Sequence, residues 1–361
     1  MCCNAVHLFL RHMSKLHTQR DWERWPFWLR YLPLVPLWCW YCIKARSFWF
    51  FTPSNPTLTF GGFEGEPKME MYEQLPPSSY PNTLWVAPGS DINALLKQLA
   101  DQKFTYPFIV KPDVGMSGVL FRRIRTEADL RHYHQHMPAA YLVQALVTLP
   151  TEYSVFYYRM PDQQKGTITG FLEKEPLSVT GDGKRTLQQL IHHSPAASLR
   201  RAELEAWHAP HLQEILPAGE KRFLSDAANL NRGGQFRNLA LEIDKALHAV
   251  FDDLNLYSKH FYYGRYDLKA ASLADLKAGR NYSILEYNGA GAEPNHVYHS
   301  NYSWIAALRE IAKHWRALYR ISKAVHQTGV PYWSFQKGRQ HLKASNKHFK
   351  ILNALDRQTG L

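Results

Sequence analysis

The stretch Ser283–His296, SILEYNGAGAEPNH, begins as an apolar strand and ends in polar side chains and glycines. Glu286 and Asn288 stand two residues apart, so both side chains lie on one face of the predicted strand. Two oxygen-bearing side chains placed side by side are costly to bury unless a cation lies between them. Because Mg²⁺ takes oxygen ligands and commonly shares them with phosphate, the stretch predicts a site where a divalent metal meets a phosphate.

The preceding strand, in GRYDLK, carries groups of the same kind. Asp267 ends that strand, and Arg265 lies two residues earlier on the same face. Together with Glu286 and Asn288, Asp267 predicts a compact set of oxygen ligands for Mg²⁺, or for Mn²⁺ in its place, bridging the phosphates of a nucleotide. Ordinary surface strand ends are the alternative interpretation of these residues taken alone.

A phosphate-binding loop is predicted further upstream. Lys111 ends the apolar strand of YPFIVKPD, and Gly115, Ser117 and Gly118 follow within seven residues. Glycine lets backbone N–H groups approach a phosphate, and lysine adds a point charge. The loop lacks the Walker pattern G-x-x-x-x-G-K-[ST], and its glycines follow the lysine instead of preceding it as in protein kinases. The sequence therefore excludes both of those nucleotide-binding classes.

From about residue 61 to 300, the order of these motifs resembles the ATP-grasp carboxylate–amine ligases. VKPDVGMSG resembles the phosphate loop of that family, and GRYDL and EYN resemble its R-x-D and E-x-N motifs. EYSV, with Glu152, resembles an E-F-T-V strand of D-alanine–D-alanine ligase. GDGKRTLQQLI, with Lys184, is similar to a loop of cyanophycin synthetase. NLNRGG, with Asn229 and Arg232, resembles N-L-H-R-G-G of the ribosomal-protein glutamate ligase.

The resemblance implies an α+β, ATP-grasp fold with a nucleotide held between two α+β subdomains. It also implies the reaction: ATP activates a substrate carboxylate as an acyl phosphate, an amine or similar nucleophile is joined to it, and ADP and phosphate leave. An ATP-grasp phosphotransferase and a non-catalytic, membrane-associated nucleotide-binding protein remain as alternatives.

The resemblance further implies a role for each matching residue. Lys68 stands where a second phosphate-binding lysine is expected, and Gln144, with the backbone of Ala145 and Leu146, stands at the adenine hinge, where an acid is usual. Catalytic roles fall to Arg265, Arg232 and Asn229, and metal binding to Asp267, Glu286 and Asn288. Nucleotide binding falls to Lys68, Lys111, Gly115, Ser117, Gly118, Gln144, Leu146, Glu152 and Lys184.

The N-terminal segment is atypical of that family, because it is too short and too rich in aromatic residues for the usual Rossmann-like subdomain. Six of the eleven tryptophans fall within residues 22–49. The apolar run from Phe27 to Ile43 contains Arg30 and two prolines, which argues against a membrane span. Tryptophan with flanking Arg and Lys is typical of a membrane interface. Peripheral contact with a membrane and packing inside the protein are the two interpretations.

Composition and charge complete the expectations. The chain has 361 residues, 45% of them hydrophobic, and a net charge of +12. We expect an aromatic-rich leader at 1–55, a reduced N-terminal region at 56–105, an ATP-grasp core at 106–300 and a basic helical segment at 301–361. Four cysteines without metal or disulfide spacing predict reduced thiols in a cytoplasmic protein.

The basic tail bears on the partners. From Ser303 onward eleven Lys and Arg stand against two acids. No RNA-binding signature accompanies this charge, so nucleic acid is not an expected partner. We expect a small-molecule or lipid-linked carboxylate and an amine as substrates, with an anionic membrane surface, at the inner face, as the partner that the leader and the tail would meet.

Overall fold

The structure is a computed structural model that describes residues 22–23, 25–116, 118–225, 234–298 and 302–358. Within these ranges the helices are short, except for two of 24 residues near the C-terminal end. The α-helices are α1 Phe27–Tyr31, α2 Val35–Ala45, α3 Lys68–Tyr72, α4 Ile92–Asp101, α5 Glu127–His136, α6 Leu187–His193, α7 Arg201–Trp207, α8 Lys245–Ser258, α9 Leu273–Lys277, α10 Trp304–Gln327 and α11 Phe335–Gln358.

The strands pair in antiparallel fashion in three sheets. Their bounds are β1 Thr83–Val86, β2 Phe108–Pro112, β3 Arg122–Ile124, β4 Tyr141–Ala145, β5 Thr151–Tyr158, β6 Thr167–Glu175, β7 Ser178–Thr180, β8 Lys221–Phe223, β9 Gln235–Asn238, β10 Tyr263–Ala270 and β11 Tyr282–Asn288. Sheet one has the order β1-β4-β2-β3, sheet two β11-β10-β5-β6-β9, and sheet three pairs β7 with β8. Helices and antiparallel sheets in one chain confirm the predicted α+β class.

Sheet one packs against α4 and α5 because each of these helices has one apolar face and a capped start. The Asp91 carboxylate accepts from the Ala94 N–H, and Thr126 and Asp129 form a capping box at α5. Leu95 and Tyr133 then share one core with the strands. This half of the molecule presents β2 and β4 to the site described below.

The two faces of sheet two differ, because side chains alternate along each strand. On β5, Tyr153, Val155 and Tyr157 are buried in a core shared with α8. Glu152, Ser154 and Phe156, which alternate with them, belong to the opposite face, where Phe156 packs in a second core with residues of α10. That opposite face lines a cavity.

One side of the aromatic leader packs on α10. Trp38 lies 4.9 Å from Trp315 and Tyr41 lies 4.7 Å from Tyr319, measured between ring centroids. Packing inside the protein is therefore confirmed for part of the segment, although Trp40 remains 51% exposed. Every helix of the described residues is too short or too polar to cross a membrane. The predicted boundaries at residues 55, 105 and 300 stay a prediction.

Candidate nucleotide and metal site

A cavity of about 700 Å³ is lined by residues of sheets one and two. Three predicted site residues, Asn229, Arg232 and Ser117, lie outside the described residues. Lys184 lies in an exposed turn and is not among the described residues that line the cavity. The predicted residues that line the cavity are Lys68, Lys111, Gly115, Gly118, Gln144, Leu146, Glu152, Arg265, Asp267, Glu286 and Asn288.

The acidic wall of the cavity is built by β10 and β11. Their register places Asp267 opposite Glu286 and Arg265 opposite Asn288. The Asn288 amide donates to Asp267 Oδ2 at 3.3 Å, and the Arg265 guanidinium donates to the same oxygen at 3.1 Å. The four polar side chains are therefore neighbours on one sheet face, as their spacing in sequence predicts.

Lys174 on β6 completes this wall and was not expected from the sequence. Its Nζ lies 2.8 Å from Asp267 Oδ1 and 3.4 Å from Glu152 Oε1. Burial alone would raise the pKa of Asp267, but Arg265 and Lys174 outweigh it and hold that pKa well below its usual range. Burial raises the pKa of Glu152, against the opposing effect of Lys174.

A tight backbone contact fixes the end of β11. The N–H groups of Ala290 and Gly291 donate to the carbonyls of Gly61 and Gly62 at 3.0 Å each. A Cβ at Gly289 would lie 2.6 Å from the Gly61 carbonyl oxygen, so only glycine fits there. The glycines that follow Asn288 thus hold the end of β11, with its oxygen-donor side chains, against the segment that precedes α3.

Lys68, at the start of α3, bridges the acidic wall and the glycine loop. Its Nζ lies 3.2 Å from Glu286 Oε1 and donates to the carbonyl of Gly115 at 2.8 Å. Burial lowers the pKa of Lys68, but Glu286 and Glu66 outweigh this effect and raise it overall. Lys68 is therefore held as a cation at the mouth of the loop.

Lys111, at the end of β2, has neutral partners instead. Its Nζ donates to the Tyr72 hydroxyl at 2.9 Å and to the Leu285 carbonyl at 3.3 Å. The residue is 8% exposed. Burial, with repulsion from Lys68, lowers the pKa of Lys111 to about 7.

Gln144, on β4, lies where the adenine hinge was predicted. Its side-chain amide donates to Thr83 Oγ1 at 2.8 Å. Its Oε1 is buried and has no hydrogen-bond partner among the described residues. Leu146, Val147 and Thr148 continue the lining from β4. A buried acceptor beside apolar walls suits the amino edge of a planar base.

The acidic wall fits a hard divalent cation by the chemistry of its donors. Two carboxylates, from Asp267 and Glu286, and the carboxamide of Asn288 line one cavity. Burial raises the pKa of Glu286, but Lys68 outweighs it and the net shift is downward, so both carboxylates are charged. Oxygen donors of this kind are those that Mg²⁺ and Mn²⁺ prefer.

Comparison with known proteins gives a structural likeness only. No family model matches the chain, and no curated protein matches it. Among solved structures, D-alanine–D-alanine ligase from Bacillus anthracis is similar over 73% of this chain and 69% of that one, with 13% identity and a TM-score of 0.43. The bifunctional glutathione synthetase from Pasteurella multocida is similar over 69% of this chain and 36% of that one, with 13% identity and a TM-score of 0.40.

An ATP-grasp ligase named PsnB, complexed with minimal precursor, is similar over 70% of this chain and 60% of that one, with 15% identity and a TM-score of 0.38. The three likenesses extend over 69–73% of this chain. The chain spans about a third of the length of the glutathione synthetase. At these TM-scores and identities, the likeness assigns no residue, substrate or reaction to this chain.

Proposed function

We propose that the protein is an ATP-dependent ligase that activates a carboxylate as an acyl phosphate and joins it to an amine or similar nucleophile, releasing ADP and phosphate. One observation carries the proposal. A single cavity joins the half-buried Lys68 and the buried Lys111 to the oxygen donors Asp267, Glu286 and Asn288. Lysines suit the phosphates of a nucleotide, and the donor set suits the metal that accompanies them.

The proposed roles follow from where each side chain lies. Lys68 and Lys111, with the backbone of Gly115 and Gly118, would hold the phosphates of ATP. Mg²⁺ bound by the acidic wall would neutralise charge on the phosphates during transfer. Arg265, whose guanidinium also donates to the Glu293 carbonyl at 3.1 Å, would steady the transferring phosphoryl group. We propose for Arg232 and Asn229 the acyl-phosphate contacts that their motif predicts.

The first test is binding of Mg-ATP, measured as a rise in melting temperature. The wild type should rise with nucleotide concentration, because a ligand that binds only the folded state stabilises it. Lys111→Met and Glu286→Gln should lose the rise. Lys97→Met and Glu73→Gln, at exposed positions, are matched controls that should keep it. Absence of a rise in the wild type at saturating Mg-ATP would contradict the proposal.

The second test separates a ligase from a phosphotransferase. Candidate carboxylates are incubated with ATP and hydroxylamine, which intercepts an acyl phosphate as a hydroxamate. A ligase should yield hydroxamate, ADP and free phosphate in equal amounts. A stable phosphorylated product without free phosphate would instead identify a phosphotransferase.

We also propose that the leader contacts an anionic membrane surface, where a lipid-linked substrate would be met. Between Arg24 and Phe63 the sequence contains no Asp or Glu. Lys44 and Arg46 are exposed in the leader. Arg316, exposed on α10, lies close to Tyr41, because it acts to lower the pKa of the Tyr41 hydroxyl, although burial raises that pKa overall. The large apolar side chains exposed in the leader and at the start of α11 are Trp28, Leu32, Val35, Trp40, Ile43, Phe48 and Phe335. Apolar side chains bordered by cations favour an anionic lipid surface.

The membrane proposal is tested by co-sedimentation with vesicles of anionic or of zwitterionic lipid. The wild type should bind the anionic vesicles more strongly. Trp40→Ser and Ile43→Ser should each weaken binding by about 3–30-fold, because full burial of a side chain of this size contributes ~1.5–3 kcal/mol and these two are 51% and 68% exposed. Trp207→Ser and Ile215→Ser, at residues 50% and 56% exposed elsewhere, are matched controls. Equal binding by all four variants would contradict the proposal.

A further inference from the structure

Three side chains of the kinds that bind metal ions lie close together outside the proposed nucleotide site, where the 3₁₀ turn Asn295–Val297 meets α10. The ligand atoms of His296, Glu310 and His314 all lie within 4.8 Å of one another. Glu310 Oε1 lies 3.9 Å from His296 Nε2 and 3.8 Å from His314 Nδ1. Glu310 and His314 are four residues apart on one helix, so their side chains share a face.

His296 is an unusual histidine because its polar atoms are buried without partners. The residue is 4% exposed, and among the described residues neither ring nitrogen has a hydrogen-bond partner. Buried polar atoms without partners cost free energy, so a native structure keeps them for a reason. A ligand that both accepts the nitrogen lone pair and tolerates burial would remove that cost.

The fold also reserves space for the ring. A Cβ at Gly170, on β6, would lie 2.1 Å from His296 Nδ1, so a larger residue there would displace the imidazole. The bare backbone of Gly170 lets the ring lie flat against the sheet and reach toward Glu310. The neighbouring strand therefore determines where the His296 ring lies, and the ring is not a surface side chain that rotates freely.

His314 is oriented in the manner of a metal-bound histidine. The residue is 1% exposed, and its Nε2 lies 2.8 Å from Thr169 Oγ1. Its Nδ1 lies 2.9 Å from the Glu310 carbonyl oxygen. Because a carbonyl oxygen only accepts, Nδ1 carries the proton and donates to Glu310, and Nε2 keeps the lone pair, which accepts from the Thr169 hydroxyl and would bind a metal in its place. An outer partner on the second ring nitrogen is the common arrangement at protein metal sites.

We propose that His296, Glu310 and His314 form a binding site for a transition-metal dication of the Zn²⁺ type, separate from the Mg²⁺-type site of the cavity. Two imidazoles and a carboxylate match zinc, whereas Mg²⁺ prefers oxygen ligands throughout. Zinc–ligand distances of about 2.0–2.2 Å place tetrahedral ligand atoms about 3.4 Å apart. The separation of 3.9 Å between His296 Nε2 and Glu310 Oε1 therefore needs to close by about half an ångström, and the three ligand atoms all lie within 4.8 Å of one another.

The site would link two parts of the molecule. Asn295, next to His296, lines the cavity and donates to Ser154 Oγ at 3.1 Å. A metal held by His296 and by two residues of α10 would fix the turn that carries Asn295. Binding at this cluster would thus stiffen one wall of the cavity without taking part in phosphate chemistry.

The test uses the full chain without a histidine tag, titrated with Co²⁺ in excess Mg²⁺. The visible absorption of Co²⁺ reports nitrogen and oxygen ligands in a four-coordinate site, and Zn²⁺ should then displace it. The wild type should bind one equivalent. His296→Ala and Glu310→Gln should abolish the band, whereas Thr169→Val, which removes the hydroxyl that donates to His314 Nε2, should leave the band in place. Gly170→Ala should weaken it by moving His296 while removing no ligand.

Two controls assign the signal. His132 and His136 form an exposed pair with ring centroids 4.5 Å apart, so His132→Ala tests for adventitious surface binding and should leave the band unchanged. Glu286→Gln tests for metal in the cavity and should also leave it unchanged. The proposal is overturned if the wild type gives no such band, or if the band survives in both His296→Ala and Glu310→Gln. Thermal unfolding without metal checks that each variant is folded.

Discussion

Lys68 and Lys111 reach the same cavity from neighbouring elements, yet their surroundings oppose each other. Lys68 Nζ lies 3.2 Å from the Glu286 carboxylate. Lys111 Nζ contacts a hydroxyl and a backbone carbonyl, both neutral. The pKa of Lys68 is consequently raised, whereas that of Lys111 is lowered to about 7. The carboxylates beside Lys68 outweigh the effect of its burial, whereas burial prevails at Lys111.

The comparison suggests a division of labour at the proposed site. Lys68 is already neutralised by Glu286, so it is positioned before any nucleotide arrives. Lys111 has no carboxylate in hydrogen-bond contact among the described residues, so an incoming phosphate would be its first strong counter-ion. We expect Lys68 to organise the loop and Lys111 to gain most from the phosphates.

The largest expected effect is on turnover, and it tests whether both lysines serve the nucleotide. Lys68→Met and Lys111→Met should each lower kcat/KM by about 10²–10³-fold, the usual cost of removing one donor to a developing charge. Steady-state ADP release measures the effect once a substrate is found, with Lys97→Met as the control. If only one variant loses activity, the two lysines do not share the phosphates.

Sequence patterns predicted much of this site because strand alternation is local. Two-residue spacing placed Glu286 beside Asn288 and Arg265 beside Asp267, and the structure has both pairs on one face of adjacent strands. The apolar run YPFIVKPD likewise predicted a strand that carries Lys111 near its end, and β2 spans Phe108–Pro112. These inferences need only the period of a strand.

Other parts of the site depend on pairing between distant segments, which no local pattern contains. Lys174 lies in GFLEKEP between two glutamates and reads as a solvated strand residue. Only the pairing of β6 with β5 brings it opposite Glu152. Phe349, on α11, lines the cavity although it follows Lys111 by more than two hundred residues. His296 and His314 meet through the packing of a turn on a helix.

A smaller effect is expected on stability. The changes in the free energy of unfolding caused by replacing Lys111 and by replacing Lys68 should have opposite signs. Below pH 7 Lys111 is charged in both the folded and unfolded states, so the folded state bears the cost of burying that charge. Lys111→Met should therefore raise the free energy of unfolding, on the order of a few kcal/mol. Lys68→Met should lower it by up to about 1 kcal/mol, because the ion pair with Glu286 is partly exposed.

The pH dependence of these changes has a definite direction. Between pH 7 and about 10 the unfolded chain binds a proton at Lys111 that the folded chain does not, so wild-type stability rises with pH. The advantage of Lys111→Met should shrink across that window. The raised pKa of Lys68 gives stability that is present below its ordinary pKa and lost as the pH rises through the raised value. Lys68 also lowers the pKa of Glu66, which burial raises to about 7, so the Lys68→Met deficit should not shrink between pH 7 and about 9. Urea unfolding at several pH values measures the free energy of unfolding of the wild type and of both variants. If the differences from the wild type change with pH in the same way for both variants, the contrast between the two lysines is refuted.

The smallest expected effect, less than one proton per nucleotide, isolates Lys111 most directly. Above pH 7 Lys111 is neutral before binding, and phosphate oxygens beside it would favour its charged form. Binding of Mg-ATP at pH 8 should therefore take up a fraction of a proton, which calorimetry in buffers of different ionisation enthalpy detects. At pH 6, where Lys111 is already charged, its share of the uptake should vanish. Lys111→Met should lose the uptake at pH 8, whereas Lys68→Met should keep part of it, because loss of the repulsion from Lys68 raises the pKa of Lys111 and leaves a smaller neutral fraction to be protonated. The same uptake in both variants would mean that Lys111 is not the group that meets the phosphates.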